Sequence, residues 1–187
     1  MNDLPVAVLD ACVLYPAPIR DLLLNLADFD LFIPRWTDEI QKEWTRNLLA
    51  NRPDLSETQL NRTIKAMDEA FPESSIQGYE SLIDSLSLPD PNDRHVVAAA
   101  IYSKADVVVT ANLADFPNSF INQFGIQIQH PDYFIANLIH RQPAKGVEAF
   151  KRQVSFLKNP PMTEGQILEI FSRIGLTAVS AKLSEMI

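Results

Sequence analysis

Cysteine is almost absent from this chain. Cys12 is the only one in 187 residues, which excludes an internal disulfide and a thiolate metal cage. With no evident base partner, it reads as a small core residue rather than a nucleophile. No run reaches the roughly 18 apolar residues needed to span a bilayer. The first residues lack a basic stretch followed by an apolar one, so no export signal is expected and the cytosol is the expected compartment. Basic charge is also scarce: 16 Lys and Arg against 24 Asp and Glu give a formal net charge of −8. That balance argues against a general polyanion binder, whose affinity rests on many basic contacts. It leaves room for a protein that meets a polyanion through bound cations, which invert the local charge. Neither an internal repeat nor a low-complexity tract is found.

What is present suffices for one domain with an appendage, since 47% of the residues are apolar and a chain of this length can bury a proper core. The most informative stretch is residues 88–116, LPDPNDRHVVAAAIYSKADVVVTANLADF. Pro89 to Asn92 predict a turn, with Asp90 suited to the N-cap and Pro91 to the first helical position. The small-sided run from Val96 to Ile101 predicts a helix to about Ser103, pressed closely against a sheet. Val107 to Thr110 is β-branched and predicts a buried parallel strand. Carboxylates flank this unit: Asp90 and Asp93 before the helix, Asp115 beyond the strand's carboxyl end, where open α/β sheets bind ligands.

In chain order, Val6 to Leu9 predicts a central strand ending at Asp10. A helix is expected over 19–27, and a second strand, Leu31 to Ile33, closed by Pro34. Trp36, Ile40, Trp44 and Leu48 recur at spacings of four, predicting a helix over 36–50 with both tryptophans in the core rather than stacked on bases. Glu39 and Glu43 share its neighbouring face and repel by a few tenths of a kcal/mol. Either Lys42 and Arg46 offset this on an ordinary solvated face, or a metal does. Ser56 and Gln59 form a capping box opening a helix over 57–71. Residues 79–88 are ambiguous between helical turn and strand. A helix is expected over 117–124, an edge strand over 126–128, and a helix opened by Pro131. Gln142-Pro143 reads as a linker, followed by three helices over 144–157, 164–174 and 178–186, with Thr163 and Gln166 a second capping box and Thr177 an N-cap. The division is thus 1–140 and 141–187, a three-layer α/β/α sandwich with a mostly parallel sheet and a C-terminal helical extension.

Acids then gather from distant places: Asp10, Glu39 with Glu43, Asp90 with Asp93, and Asp115. Two carboxylates about 4 Å apart repel by around 4 kcal/mol at an effective dielectric near 20, so such a cluster persists by binding cations. Oxygen ligands without a His or Cys set favour Mg²⁺ or Mn²⁺. A pair of these ions can cleave phosphodiesters, and hydrolysis of nucleic acid is the natural use.

The segments LDACVLY, RWTDEIQKEW, DPNDRHVVAAA and VVVTANLADF, in this order and spacing, resemble the PIN-domain ribonucleases that serve as toxins in VapC-like toxin–antitoxin pairs. The resemblance covers about residues 6–134. It implies a Mg²⁺- or Mn²⁺-dependent endoribonuclease with Asp10, Asp93 and Asp115 as metal ligands. The family's helix glutamate matches Glu39, with Glu43 able to serve instead or as well. Thr110 is implied to hydrogen-bond Asp10 or a metal-held water, and Asn112 to orient the site. RNA as substrate, a small antitoxin as partner and a homodimer are implied likewise. The long segment from Pro53 to Leu86 and the helical tail depart from compact members.

Plainer roles compete at several positions: an N-cap for Asp90, a capping acid for Asp93, a turn former for Asp115. Arg35, Lys42, Arg46 and Arg94 either hold RNA phosphates or are surface charges, and His95 reads as a surface or hydrogen-bonded residue rather than a base. Two other functions compete as well. One is an aspartyl phosphatase of the dehalogenase-like class, which wants a second aspartate where Cys12 stands. The other is a non-catalytic RNA- or protein-binding module of the same fold.

Overall fold

The computed structural model describes residues 4–187. Four strands, β1 (Val6–Leu9), β2 (Ile33–Arg35), β3 (Val107–Val109) and β4 (Gln127–Gln129), form one all-parallel sheet in the order β2-β1-β3-β4. β1 pairs with β2 on one side, in the register Ala7↔Pro34, and with β3 on the other, Val8↔Val108. The chain therefore reverses its direction of travel across the sheet at β1, which opens a crevice at the carboxyl ends of β1 and β3.

Pro34 was expected to close the second strand, yet it lies in the middle of β2. A proline removes a ladder donor and is tolerated on an outermost strand. β2 is such a strand, so the proline sits within it and the strand begins two residues later than its apolar run suggests.

Helices α1 (Ala11–Leu14) and α2 (Ala17–Asp28) follow β1. Helix α3 (Asp38–Asn51) is capped by the Thr37 hydroxyl, which accepts from the Ile40 N–H. Trp36 thus precedes the helix instead of opening it. Both Trp36 and Trp44 are fully buried, as the apolar stripe predicts. Helix α4 (Glu57–Ala70) carries the expected Ser56–Gln59 capping box. The ambiguous 79–88 segment resolves as a 3₁₀ turn, Glu80–Ser85. Helix α5 (Arg94–Tyr102) buries Val96 to Ala100 against β1 and β3; its alanines permit that close approach. The expected 117–124 helix divides into α6 (Asn118–Ile121) and a 3₁₀ turn.

Helix α7 (Pro131–Arg141) meets α8 (Pro143–Phe156) across a single residue, Gln142, so the linker signal marks a tight corner. α8 packs against α2 and α7, and Ala149 and Phe150 join the core that holds β1. Helix α9 (Glu164–Arg173) has the expected Thr163–Gln166 capping box. Helix α10 (Thr177–Ser184) begins at Thr177, which was expected to cap it. The cap comes instead from Asp132 on α7, whose carboxylate accepts from the N–H groups of Ala178 (3.0 Å) and Val179 (2.9 Å) and from the Thr177 hydroxyl (3.3 Å). An acid at a helix N-terminus satisfies orphan donors and complements the dipole. No helix among the described residues is long and apolar enough to cross a membrane.

Candidate active site

The hydrogen-bond ladder runs one residue past the strands. Asp10 N–H donates to the Val109 carbonyl (3.1 Å) and Thr110 N–H to the Gln129 carbonyl (3.0 Å), so both backbones are fixed where they enter the crevice. Asp10 is buried and caps the short α1, its Oδ1 accepting from the Ala11 N–H at 2.8 Å. Its Oδ2 accepts from the Thr110 hydroxyl at 2.8 Å and from the Cys12 thiol at 3.3 Å. These donors are held in turn. Asn112 N–H donates to Thr110 Oγ1 (3.1 Å), and Ala111 N–H to Cys12 Sγ (3.3 Å). Burial pushes the Asp10 carboxyl above its usual range, the bonds from Thr110, Cys12 and Ala11 oppose the rise, and the charge of Glu43 adds to it.

Asp93 stands at the N-cap position of α5 with helical backbone angles, yet its side chain makes no capping bond. The capping is done upstream, where Asp90 accepts from the Asn92 N–H at 2.8 Å. Asp93 is therefore not committed to holding the helix. Its carboxyl is pushed up to about 6, first by burial and then by the charges of Asp10, Asp90, Asp115 and Glu43. This shift reports convergence: acids far apart in sequence bear on one carboxyl. Asp115 reaches the group from the 3₁₀ turn Leu113–Asp115, just past β3, anchored by the fully buried Phe116.

Of the two helix glutamates, Glu43 joins the group. It is half-buried, its charge acts on both Asp10 and Asp93, and its Oε2 lies 3.6 Å from His95 Nε2. Glu39 is exposed in the first turn of α3, where its charge acts on Tyr79. Asn112 contributes its backbone N–H to Thr110 and has an exposed side chain. The basic candidates are dispersed. Arg35 lines a groove on the β2 side with Asp28, Asp30 and Glu73, Lys42 and Arg46 are exposed on α3, and Arg94 donates to the Pro91 carbonyl at 3.0 Å. None of them is among the influences on Asp10 or Asp93.

For two residues the sequence reading missed the contact with an acid. Cys12 is a donor to Asp10, and burial together with the Asp10 charge pushes its thiol up to about 12, so it stays protonated. Its place two residues after a strand-ending aspartate was the available signal. His95 is held at Glu43 with an 11% exposed side chain and an unpartnered Nδ1; its position two residues after Asp93 was the corresponding hint.

The donor set suits a hard divalent cation in chemistry and charge, since it offers carboxylate oxygens whose mutual repulsion a cation would relieve. Among the described residues, no three His, Cys, Asp or Glu side chains already form a group able to hold a metal ion. What links the acids is charge: Glu43 acts on Asp10, and Asp10, Asp90, Asp115 and Glu43 act on Asp93.

A family model described as PIN domain matches residues 6–114, over half of the chain. The chain belongs to the PIN-domain family. A second model, described as VapC50 C-terminal domain, matches residues 131–185, the run from α7 to the end of α10. The VapC-like resemblance thus extends into the helical tail. A curated protein of Mycobacterium tuberculosis (strain ATCC 25618 / H37Rv), named "Putative ribonuclease VapC50", is 32% identical over 92 residues, covering 49% of this chain and 54% of that protein. The chain thus aligns with about half the length of that relative. No solved structure matches. In this PIN domain the matched segment stops one residue before Asp115, so the link of Asp115 to the other acids rests on its charge acting on Asp93.

Proposed function

We propose that this PIN domain is a divalent-metal-dependent endoribonuclease acting in the cytosol, the toxin of a two-component pair whose small antitoxin neutralises it. The observation that carries the reading is the Asp93 carboxyl, pushed up to about 6 first by burial and then by the charges of Asp10, Asp90, Asp115 and Glu43, a concentration of negative charge suited to a cation. Asp10, Asp93 and Asp115 would hold Mg²⁺ or Mn²⁺, with Glu43 rather than Glu39 as the fourth acid. Bound there, such an ion supplies water activation and neutralises charge building on the phosphate.

The chain's own contribution is positioning. Thr110, Cys12 and the Ala11 N–H lock the Asp10 carboxylate in one orientation, so ligation costs little further ordering. His95 Nε2, 3.6 Å from Glu43 Oε2, would orient that carboxylate, as outer partners commonly orient ligating groups. The short path from β3 to Asp115 sets the third acid on a single 3₁₀ turn. The phosphatase alternative gains nothing, because the position two residues past Asp10 is Cys12, already committed to Asp10 and Thr110.

The test is cleavage of a labelled RNA with Mg²⁺, with EDTA, and by Asp10→Asn. Cleavage only by the wild-type chain with Mg²⁺ is expected. Turnover that survives EDTA removes the metal mechanism, and hydrolysis of a small phosphomonoester in place of RNA restores the phosphatase. Neutralisation by the product of an adjacent small reading frame tests the toxin role.

A further inference from the structure

Beside the 3₁₀ turn that carries Asp115 lies a groove of about 410 Å³ that the proposed chemistry does not use. One wall is Leu113, two residues before Asp115; the others come from α6, β4 and the first turn of α7. Its character is neutral and amide-rich. Asn118, Asn122, Gln127 and Gln129 line it together with Tyr133, and no Lys, Arg, Asp or Glu does. Tyr133 is 60% exposed and Leu113 46%, large apolar surfaces that a free protein gains nothing by leaving in water.

We infer that this groove holds a nucleobase of single-stranded RNA beside the scissile phosphate, with Tyr133 as the stacking platform and the amides as readers of the base edge. The inference rests on the ribonuclease reading above and adds to it the site that selects the substrate. A phosphate would call for cations, which the lining lacks, whereas a base calls for an aromatic face and neutral donors and acceptors. The amides are arranged to serve. Gln129 Nε2 donates to Gln127 Oε1 at 2.8 Å, which leaves the Gln127 amide group as donor and the Gln129 carbonyl as acceptor. His130, also in the lining, accepts the Asp132 N–H at Nδ1 (3.2 Å). With Nδ1 accepting, Nε2 is the ring's donor side, a further donor for a base edge. With phosphates held at the acids through cations, a base flanking the cut falls to the neighbouring groove.

The experiment uses the full chain with Asp10→Asn and Mg²⁺, and a short mixed-sequence single-stranded RNA carrying 4-thiouracil, with RNA length checked on a gel. Affinity is measured by anisotropy for this parent and with Tyr133→Phe or Tyr133→Ala added, and photocrosslinks are mapped by mass spectrometry. Tyr133→Ala is expected to weaken binding about tenfold, Tyr133→Phe less than about twofold, and crosslinks to fall on the groove. Tyr133 is exposed, and equal melting temperatures show that the variants fold. Unchanged affinity in Tyr133→Ala, or crosslinks elsewhere, overturns the inference. So does a Tyr133→Ala effect confined to an antitoxin protein, which makes the groove a protein site. Absence of any RNA binding overturns both this inference and the ribonuclease reading. Groove-directed binding without wild-type cleavage overturns the ribonuclease reading alone.

Discussion

Replacing Asp93 with asparagine should make the metal-free protein more stable near neutral pH, the opposite of what removing a structural salt bridge would do. The folded-state carboxyl is raised from its ordinary 3.8 to about 6. Between those values the folded chain keeps a proton that the unfolded chain has released. The stabilisation from the protonated form is therefore complete below the unfolded value and is lost as pH rises through about 6. The full interval corresponds to a ceiling of about 3 kcal/mol. Asp93 is only half-buried, and solvent screening brings the expected cost of its ionisation to about 1 kcal/mol. Asparagine keeps the shape and removes that cost.

In EDTA near neutral pH, Asp93→Asn should then melt about 2–4 °C above the wild-type chain, as expected for a domain of this size. Well below the ordinary carboxylate range the two proteins should melt together, because both are uncharged at position 93. Adding Mg²⁺ should reverse the order near neutral pH, stabilising the wild type by mass action and the variant less. Differential scanning fluorimetry across pH, with and without Mg²⁺, reads all three arms. A variant that melts lower in EDTA, or a gain that persists in acid, would refute the convergence of acids on Asp93.

The remaining expectations are narrower. Glu43→Gln should cut RNA cleavage by more than about tenfold while Glu39→Gln stays within about twofold, measured as initial rates on one RNA at saturating Mg²⁺. His95→Ala should weaken Mg²⁺ binding by about 10- to 100-fold in calorimetry, the range for outer-sphere partners, and equal affinities would leave the histidine a packing role. Cys12 should react with iodoacetamide about a thousandfold slower in the native protein than a free thiol near neutral pH, because its thiol is pushed up to about 12; mass spectrometry before and after denaturation gives the ratio. Asp132→Ala should destabilise the fold by about 1–2 kcal/mol, or several degrees in Tm, through loss of the α10 cap, with Asp132→Asn recovering part of it.

Local signals carried much of the fold. β1, both capping boxes and β3 stand within a residue or two of where apolar pattern and cap chemistry put them, because in these cases neighbours in sequence supply the interaction; α5 begins three residues after Pro91, past a 3₁₀ turn Pro91–Asp93 that Asp90 caps. The misses share the opposite cause. Thr177 is a sound N-cap by itself, but Asp132, 45 residues earlier, takes the role through space. Pro34 reads as a stop unless one knows that its strand lies at a sheet edge. Glu39 and Glu43 are equivalent under helical periodicity, each preceding a stripe residue. Only the position of α3 along its axis tells them apart: one turn lies by Tyr79 and the next by His95.

The candidate site follows the same division between local chemistry and strand order. That Asp10 ends a strand and that Thr110 ends another can be read from two short apolar runs. That the two meet depends on β3 pairing with β1 on the side opposite β2. Once that pairing exists, little else is adjustable: the ladder continues through Asp10 to Val109 and through Thr110 to Gln129, and the hydroxyl lands 2.8 Å from the carboxylate. A slip of one residue between parallel strands would turn Thr110 to the other side of the sheet. The register Leu9↔Val109 is therefore as much a determinant of the site as the acids themselves.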